Sequence, residues 1–72
     1  MANVFSYKGY KGSINKEEGY YWGEILGLKD SILTYESKNL EDLEKEFIAC
    51  VEEYYDLCKE IDIEPEIPDY EI

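Results

Sequence analysis

Between Leu40 and Ile61 the apolar residues Leu40, Leu43, Phe47, Cys50, Val51, Tyr54, Cys58 and Ile61 recur at steps of three and four. That spacing predicts one amphipathic helix running to about residue 61. Asn39 is a good N-cap, and Asp42, three positions on, makes a variant of the capping box. Glu41, Asp42 and Glu44 fall in the first turn, where the helix dipole favours acids. Pro65 and Pro68 stop the helix from running on. A long helix with one apolar face cannot stand alone in water, so the residues before it must supply the layer it packs against.

Those residues read as strands. Tyr7–Asn15 and Tyr20–Leu26 carry aromatic and β-branched residues, separated by Lys16-Glu17-Glu18-Gly19, a common hairpin length. In the second segment Tyr21, Gly23 and Ile25 share one face, and Tyr20, Trp22, Glu24 and Leu26 the other. Gly9, Gly12 and Gly23 weaken a strand unless a neighbour must come close, as a crossing helix would. Gly27 breaks the strand, and Ser31–Glu36 forms a third, with Leu33 and Tyr35 on one side. The predicted fold is therefore α+β: a three-stranded antiparallel β-meander packed by one long α-helix. Residues 1–72 make a single domain, with a core from about 5 to 62 and an acidic, proline-containing tail over 63–72. Tyr70–Ile72 is either a short edge strand or part of an extended, unordered tail, and the residues favour neither.

At 72 residues the chain is near the lower limit for folding on one core, so self-association, as a dimer, is expected. Hydrophobic content of 44% still places it among globular proteins. Its charge is unevenly spread. Residues 1–35 carry four acids and four lysines, whereas residues 36–72 carry fourteen acids and three lysines, which accounts for the whole net charge of −11. Such a surface is ill suited to a phosphate backbone and well suited to a basic protein. No apolar run approaches the ~20 residues of a membrane span, and the N-terminus has no charged-then-apolar signal pattern, so the expected location is the cytoplasm with no membrane partner.

Most site chemistry is excluded by residue type. There is no His and no Arg, and the serines are Ser6, Ser13, Ser31 and Ser37, so neither a Ser-His-Asp nor a Cys-His pair can form. No glycine-rich phosphate loop is present. Cys50 and Cys58 lie on one helix with backbones roughly 12 Å apart, too far for a disulfide, and without His or C-x-x-C they make no zinc site. They read as buried thiols. A two-metal nuclease needs acids converging from several elements, but the sheet offers mainly Glu24, Asp30 and Glu36. Base stacking on Tyr7, Tyr10, Tyr20, Tyr21 and Trp22 is opposed by the charge. No enzyme activity, metal, cofactor or direct nucleic-acid binding is expected.

At about 100° per residue, the helix core line passes through Phe47, Tyr54 and Cys58, and Asp42, Lys45, Glu52, Glu53, Asp56 and Glu60 fill the opposite arc. Ile48 and Tyr55 lie between, one above the other, as either a wide core edge or a seam for a second chain.

The order of the segments resembles the HicB family of bacterial type II antitoxins. The resemblance rests on Tyr7-Lys8-Gly9-Tyr10, Gly12-Ser13-Ile14, Gly19-Tyr20-Tyr21-Trp22-Gly23-Glu24-Ile25-Leu26-Gly27-Leu28, Asp30 and Thr34-Tyr35-Glu36. It continues through Leu40-Glu41-Asp42-Leu43-Glu44-Lys45-Glu46-Phe47, Val51-Glu52-Glu53-Tyr54, and Cys58 to Glu64-Pro65-Glu66, covering about residues 7–68. It implies a partial ribonuclease H-like fold without the nuclease active site, and a partner of HicA type, a small basic ribonuclease toxin that the antitoxin blocks by contact. Ser37-Lys38-Asn39 stands where the family usually has Gly-Asp-Thr, and Asn39 still caps. Many relatives continue into a DNA-binding segment; no basic segment follows here, so operator binding is not expected. The expected toxin-facing residues are the acids Glu52, Glu53, Asp56 and Glu60 with the tail acids Glu64, Glu66 and Asp69, and apolar anchoring falls to Ile48 and Tyr55 or to Tyr20 and Trp22. The alternative is an orphan acidic interaction module of the same fold, dimeric and without catalysis.

Overall fold

The computed structural model describes residues 4–68. Its elements run β1 (Val4–Tyr7), β2 (Tyr10–Ser13), β3 (Asn15–Glu17), β4 (Tyr20–Glu24), β5 (Thr34–Ser37) and α1 (Leu40–Glu60). β3, β4 and β5 form the antiparallel meander, and β1 and β2 form a separate hairpin. An isolated bridge between Gly12 and Ile25 joins the two, in the same register that pairs Asn15 with Trp22 and Glu17 with Tyr20. β2 and β3 thus lie along one line, interrupted only at Ile14.

The hairpin corrects the expected first strand. Tyr7 does not begin a strand to Asn15. It ends β1 and pairs with Tyr10 across a two-residue turn in which Lys8 and Gly9 have φ of 52° and 84°. Positive φ at both central positions marks a type I′ turn, whose twist matches that of the flanking strands. The second loop is shorter than expected: Glu17 pairs with Tyr20, leaving only Glu18-Gly19. The third strand starts later, at Thr34, although the Leu33 carbonyl already accepts from the Ile25 N–H at 2.9 Å. The expected strand at Tyr70–Ile72 lies outside the described residues.

The helix forms as its sequence predicts. The Asn39 side-chain oxygen accepts from the Asp42 N–H at 2.8 Å, and its amide donates back to the Asp42 carboxylate at 3.0 Å. At the other end Ile63 N–H reaches the Cys58 carbonyl at 2.9 Å and Asp62 N–H the Lys59 carbonyl at 3.4 Å. These are the two bonds of a Schellman cap, with Asp62 at φ 59° where glycine is usual.

Leu43, Phe47, Val51, Tyr54 and Cys58 form the buried stripe of α1 and meet Tyr10, Ile25 and Tyr35 from the sheet. The Phe47 ring is stacked by Phe5 and tilted against Tyr35, both at 5.6 Å between centroids. Gly12 and Gly23 allow this approach. A Cβ at Gly12 would stand 2.2 Å from the Tyr35 hydroxyl and 2.6 Å from Phe47, and one at Gly23 would stand 2.0 Å from the Ser13 carbonyl oxygen. Real Cβ atoms do not come so near, so the helix and Tyr35 occupy the volume that two side chains would need. The Tyr35 hydroxyl donates to the Ser13 carbonyl at 2.7 Å, which gives this buried phenol its partner.

Candidate functional site

The helical repeat turns Glu53, Asp56 and Glu60 to solvent, and all three are exposed. Glu52, which the helical wheel groups with them, is engaged elsewhere. Its carboxylate accepts from the Tyr7 hydroxyl at 2.5 Å and from the Lys8 ammonium at 2.8 Å. The bonds from Lys8 and Tyr7 hold the Glu52 carboxyl below its ordinary pKa, and the same carboxylate raises the pKa of both donors. The β1–β2 turn positions Lys8 for this contact.

That turn also covers the shoulder. Ile48 and Tyr55 are half-buried and pack against the core. The Tyr10 ring meets Tyr55 edge-on at 5.7 Å, and the Lys8 ammonium stands 5.4 Å from the Tyr55 ring centre. Packing on the core edge is therefore what the structure gives these two residues. Besides Leu40 at its start, the apolar surface left open is at the helix's C-terminal end, on Leu57 and the cap residue Ile61, 53% and 56% exposed, with Ile63 just beyond at 54%.

A groove of about 700 Å³ opens between the C-terminal half of α1 and the segment that follows it. Tyr55 lies in its wall, and Glu52, Asp56, Asp62 and Glu64 outnumber Lys8 and Lys59 around it. Tyr20 and Trp22 sit elsewhere, on the sheet face that α1 leaves uncovered. With Thr34, Tyr35 and Glu36 they line a smaller depression of about 240 Å³. The acidic arc and the aromatic pair thus occupy opposite sides of the molecule, and one flat partner surface cannot touch both.

Sequence patterns do not reveal how the segment after the helix is held. It returns across the fold and is clamped at Glu66. The Glu66 N–H donates to the Tyr54 hydroxyl and the Tyr10 hydroxyl donates to the Glu66 carbonyl, both at 2.7 Å. Burial, followed by the Tyr55 hydroxyl, pushes the Tyr10 phenol well above its ordinary range and keeps it a donor. The Glu66 carboxylate accepts from the backbone N–H of Lys29 and from that of Asp30, the latter at 3.1 Å. Led by the Lys29 N–H, these bonds hold its pKa below the ordinary value. Glu66, expected to face a toxin, is thus spent on the chain's own backbone; Glu64 is exposed, and Asp69 lies outside the described residues.

The remaining chemistry is sparse. Cys58 is buried and Cys50 half-buried, both as free thiols. Burial, with the nearby Glu53 charge, raises the Cys50 pKa and keeps the thiol in its unreactive protonated form. Among the described residues no group of three or more His, Cys, Asp or Glu is placed to hold a metal ion, and no helix is long and apolar enough to cross a membrane. The arrangement offers a binding surface: an acidic helix face borders a groove with one tyrosine ring in its wall. Comparison of the chain with protein-family models, curated proteins and solved structures gives no match.

Proposed function

We propose that this chain is a HicB-like antitoxin that binds a small basic HicA-like ribonuclease toxin and neutralises it by protein–protein contact, in the cytoplasm and without catalysis of its own. The observation that carries the reading is the exposed acidic face of α1, Glu53, Asp56 and Glu60, which continues past the helix end to Glu64 beside the groove. A face of one sign steers an oppositely charged partner and fixes its orientation on encounter. The groove adds shape, with Asp56, Asp62 and Glu64 around it to meet an arginine or lysine of the toxin. The meander-plus-helix arrangement also agrees with what the HicB resemblance implies, and Lys8 relieves only Glu52 of its charge.

Co-expression with the product of the neighbouring reading frame tests this directly. Growth rescue and a stable complex are expected. Reversing Glu53, Asp56, Glu60 and Glu64 to lysine should slow association about tenfold or more at low salt and flatten its salt dependence. An unchanged association rate would remove the steering role.

The second reading, an orphan dimeric module, is favoured by the open apolar flank at Leu57, Ile61 and Ile63. A neighbouring frame that encodes no small basic protein, together with a stable dimer, would select it.

A further inference from the structure

The segment 63–68 is bound as a peptide ligand would be. Both main-chain polar groups of Glu66 are read by tyrosine hydroxyls, and its carboxylate is read by two successive backbone N–H groups. The prolines on either side, Pro65 and Pro68, keep it extended. Apolar burial contributes little, since Ile63 and Ile67 remain 54% and 87% exposed. The segment turns toward its own chain's site at Asp62, which holds a left-handed φ of 59° at the end of the helix cap, a conformation that glycine favours and that aspartate enters more readily than most residues.

From this we propose that the strap is exchanged between two copies of the chain, each placing its Glu66 between Tyr10 and Tyr54 of the other. Every contact at the site is kept, because the ligand is the same sequence. Opening the hinge relieves the left-handed φ at Asp62 and gives up the two cap bonds to the Cys58 and Lys59 carbonyls. The residues flanking the hinge are Ile61 and Ile63, and both are more than half exposed in the closed form. Around a two-fold axis the two opened hinges would bring these isoleucines together, out of the water that reaches them in the closed chain. The site then depends on a residue contributed by the partner copy. The proposal is independent of the toxin reading.

The test is the hinge. Asp62→Pro cannot adopt positive φ and closes off the return within one chain. Asp62→Val disfavours it through β-branching while keeping the N–H. Light scattering on the 72-residue chains should show both variants as dimers, with the Lys29 and Asp30 amide resonances still at their bonded positions. Adding Glu66→Ala to either variant should weaken the dimer at least tenfold. Two outcomes would overturn the exchange: hinge variants that stay monomeric, whether those two amides are released or still bonded, or a dimer whose affinity ignores Glu66→Ala.

Discussion

Glu52 accepts a hydrogen bond from Lys8 at 2.8 Å, and that contact joins the middle of the helix to the first turn of the sheet. Position on the helical wheel alone assigns Glu52 to the acids that face solvent. The contact makes it part of the fold's closure.

The acid response follows from Glu52 and Glu66 together. Both carboxyls have folded-state pKa values below their ordinary ones, so their contributions are fully present above the ordinary glutamate value, about 4.3. They are lost as pH falls through the folded-state values. Acidification below the ordinary glutamate value should therefore release the Glu66 carboxylate from Lys29 and Asp30 and loosen the β1–β2 turn while the helix core persists. Amide exchange at Lys29 and Asp30 reads the first event. Glu66→Gln should remove most of its pH dependence; retention of the full dependence in that variant would assign the effect to other acids.

Gly23→Ala should be among the most damaging small substitutions in the chain. The added methyl meets backbone at Ser13 and the Tyr35 ring, neither of which can swing aside. A loss of about 3 kcal/mol is expected, at the high end for overpacking. Urea unfolding followed through Trp22 measures it, and a loss under about 1 kcal/mol would mean that the strands can separate locally.

Asp62→Gly should stabilise the chain by about 1 kcal/mol, because glycine takes the left-handed cap without strain. Thermal unfolding decides this, and a lower midpoint would show that the aspartate makes a compensating interaction. If straps exchange between copies, the same variant should also shift the population toward monomer.

Asn39→Ala should cost about 1 kcal/mol by leaving the Asp42 N–H without its acceptor. Asn39→Ser should recover most of that loss, which separates capping from any general effect at the position.

The helix was legible because its signals are local: an N-cap, a three-to-four spacing and prolines beyond the end. The faces of β4 were legible for the same reason, since alternation alone puts Gly23 and Ile25 opposite Trp22. The first hairpin was not, because its turn needs a lysine in a backbone region that lysine rarely visits. Two further features depend on that hairpin. It covers Tyr55, closing the shoulder, and it brings Lys8 to Glu52. The clamp on Glu66 was invisible for a different reason: Tyr10 and Glu66 are 56 positions apart, and no periodicity links a hydroxyl to a carbonyl over that span. Of the candidate binding residues, Glu53, Asp56 and Glu60 lie where the wheel places them, because an uncovered helix face depends on nothing but its own repeat.

Gly12, Gly23 and Tyr35 share one volume, and this has a consequence for how the sequence can drift. A side chain gained at either glycine requires a shorter one at position 35 and also room at the Phe47 ring for Gly12 or at the Ser13 backbone for Gly23, and the loss of the Tyr35 hydroxyl leaves the Ser13 carbonyl unanswered. The three positions therefore form a single heritable unit. Diverging copies of this gene should carry them unchanged or replace them together, even where the acids of the outer helix face have been freely exchanged.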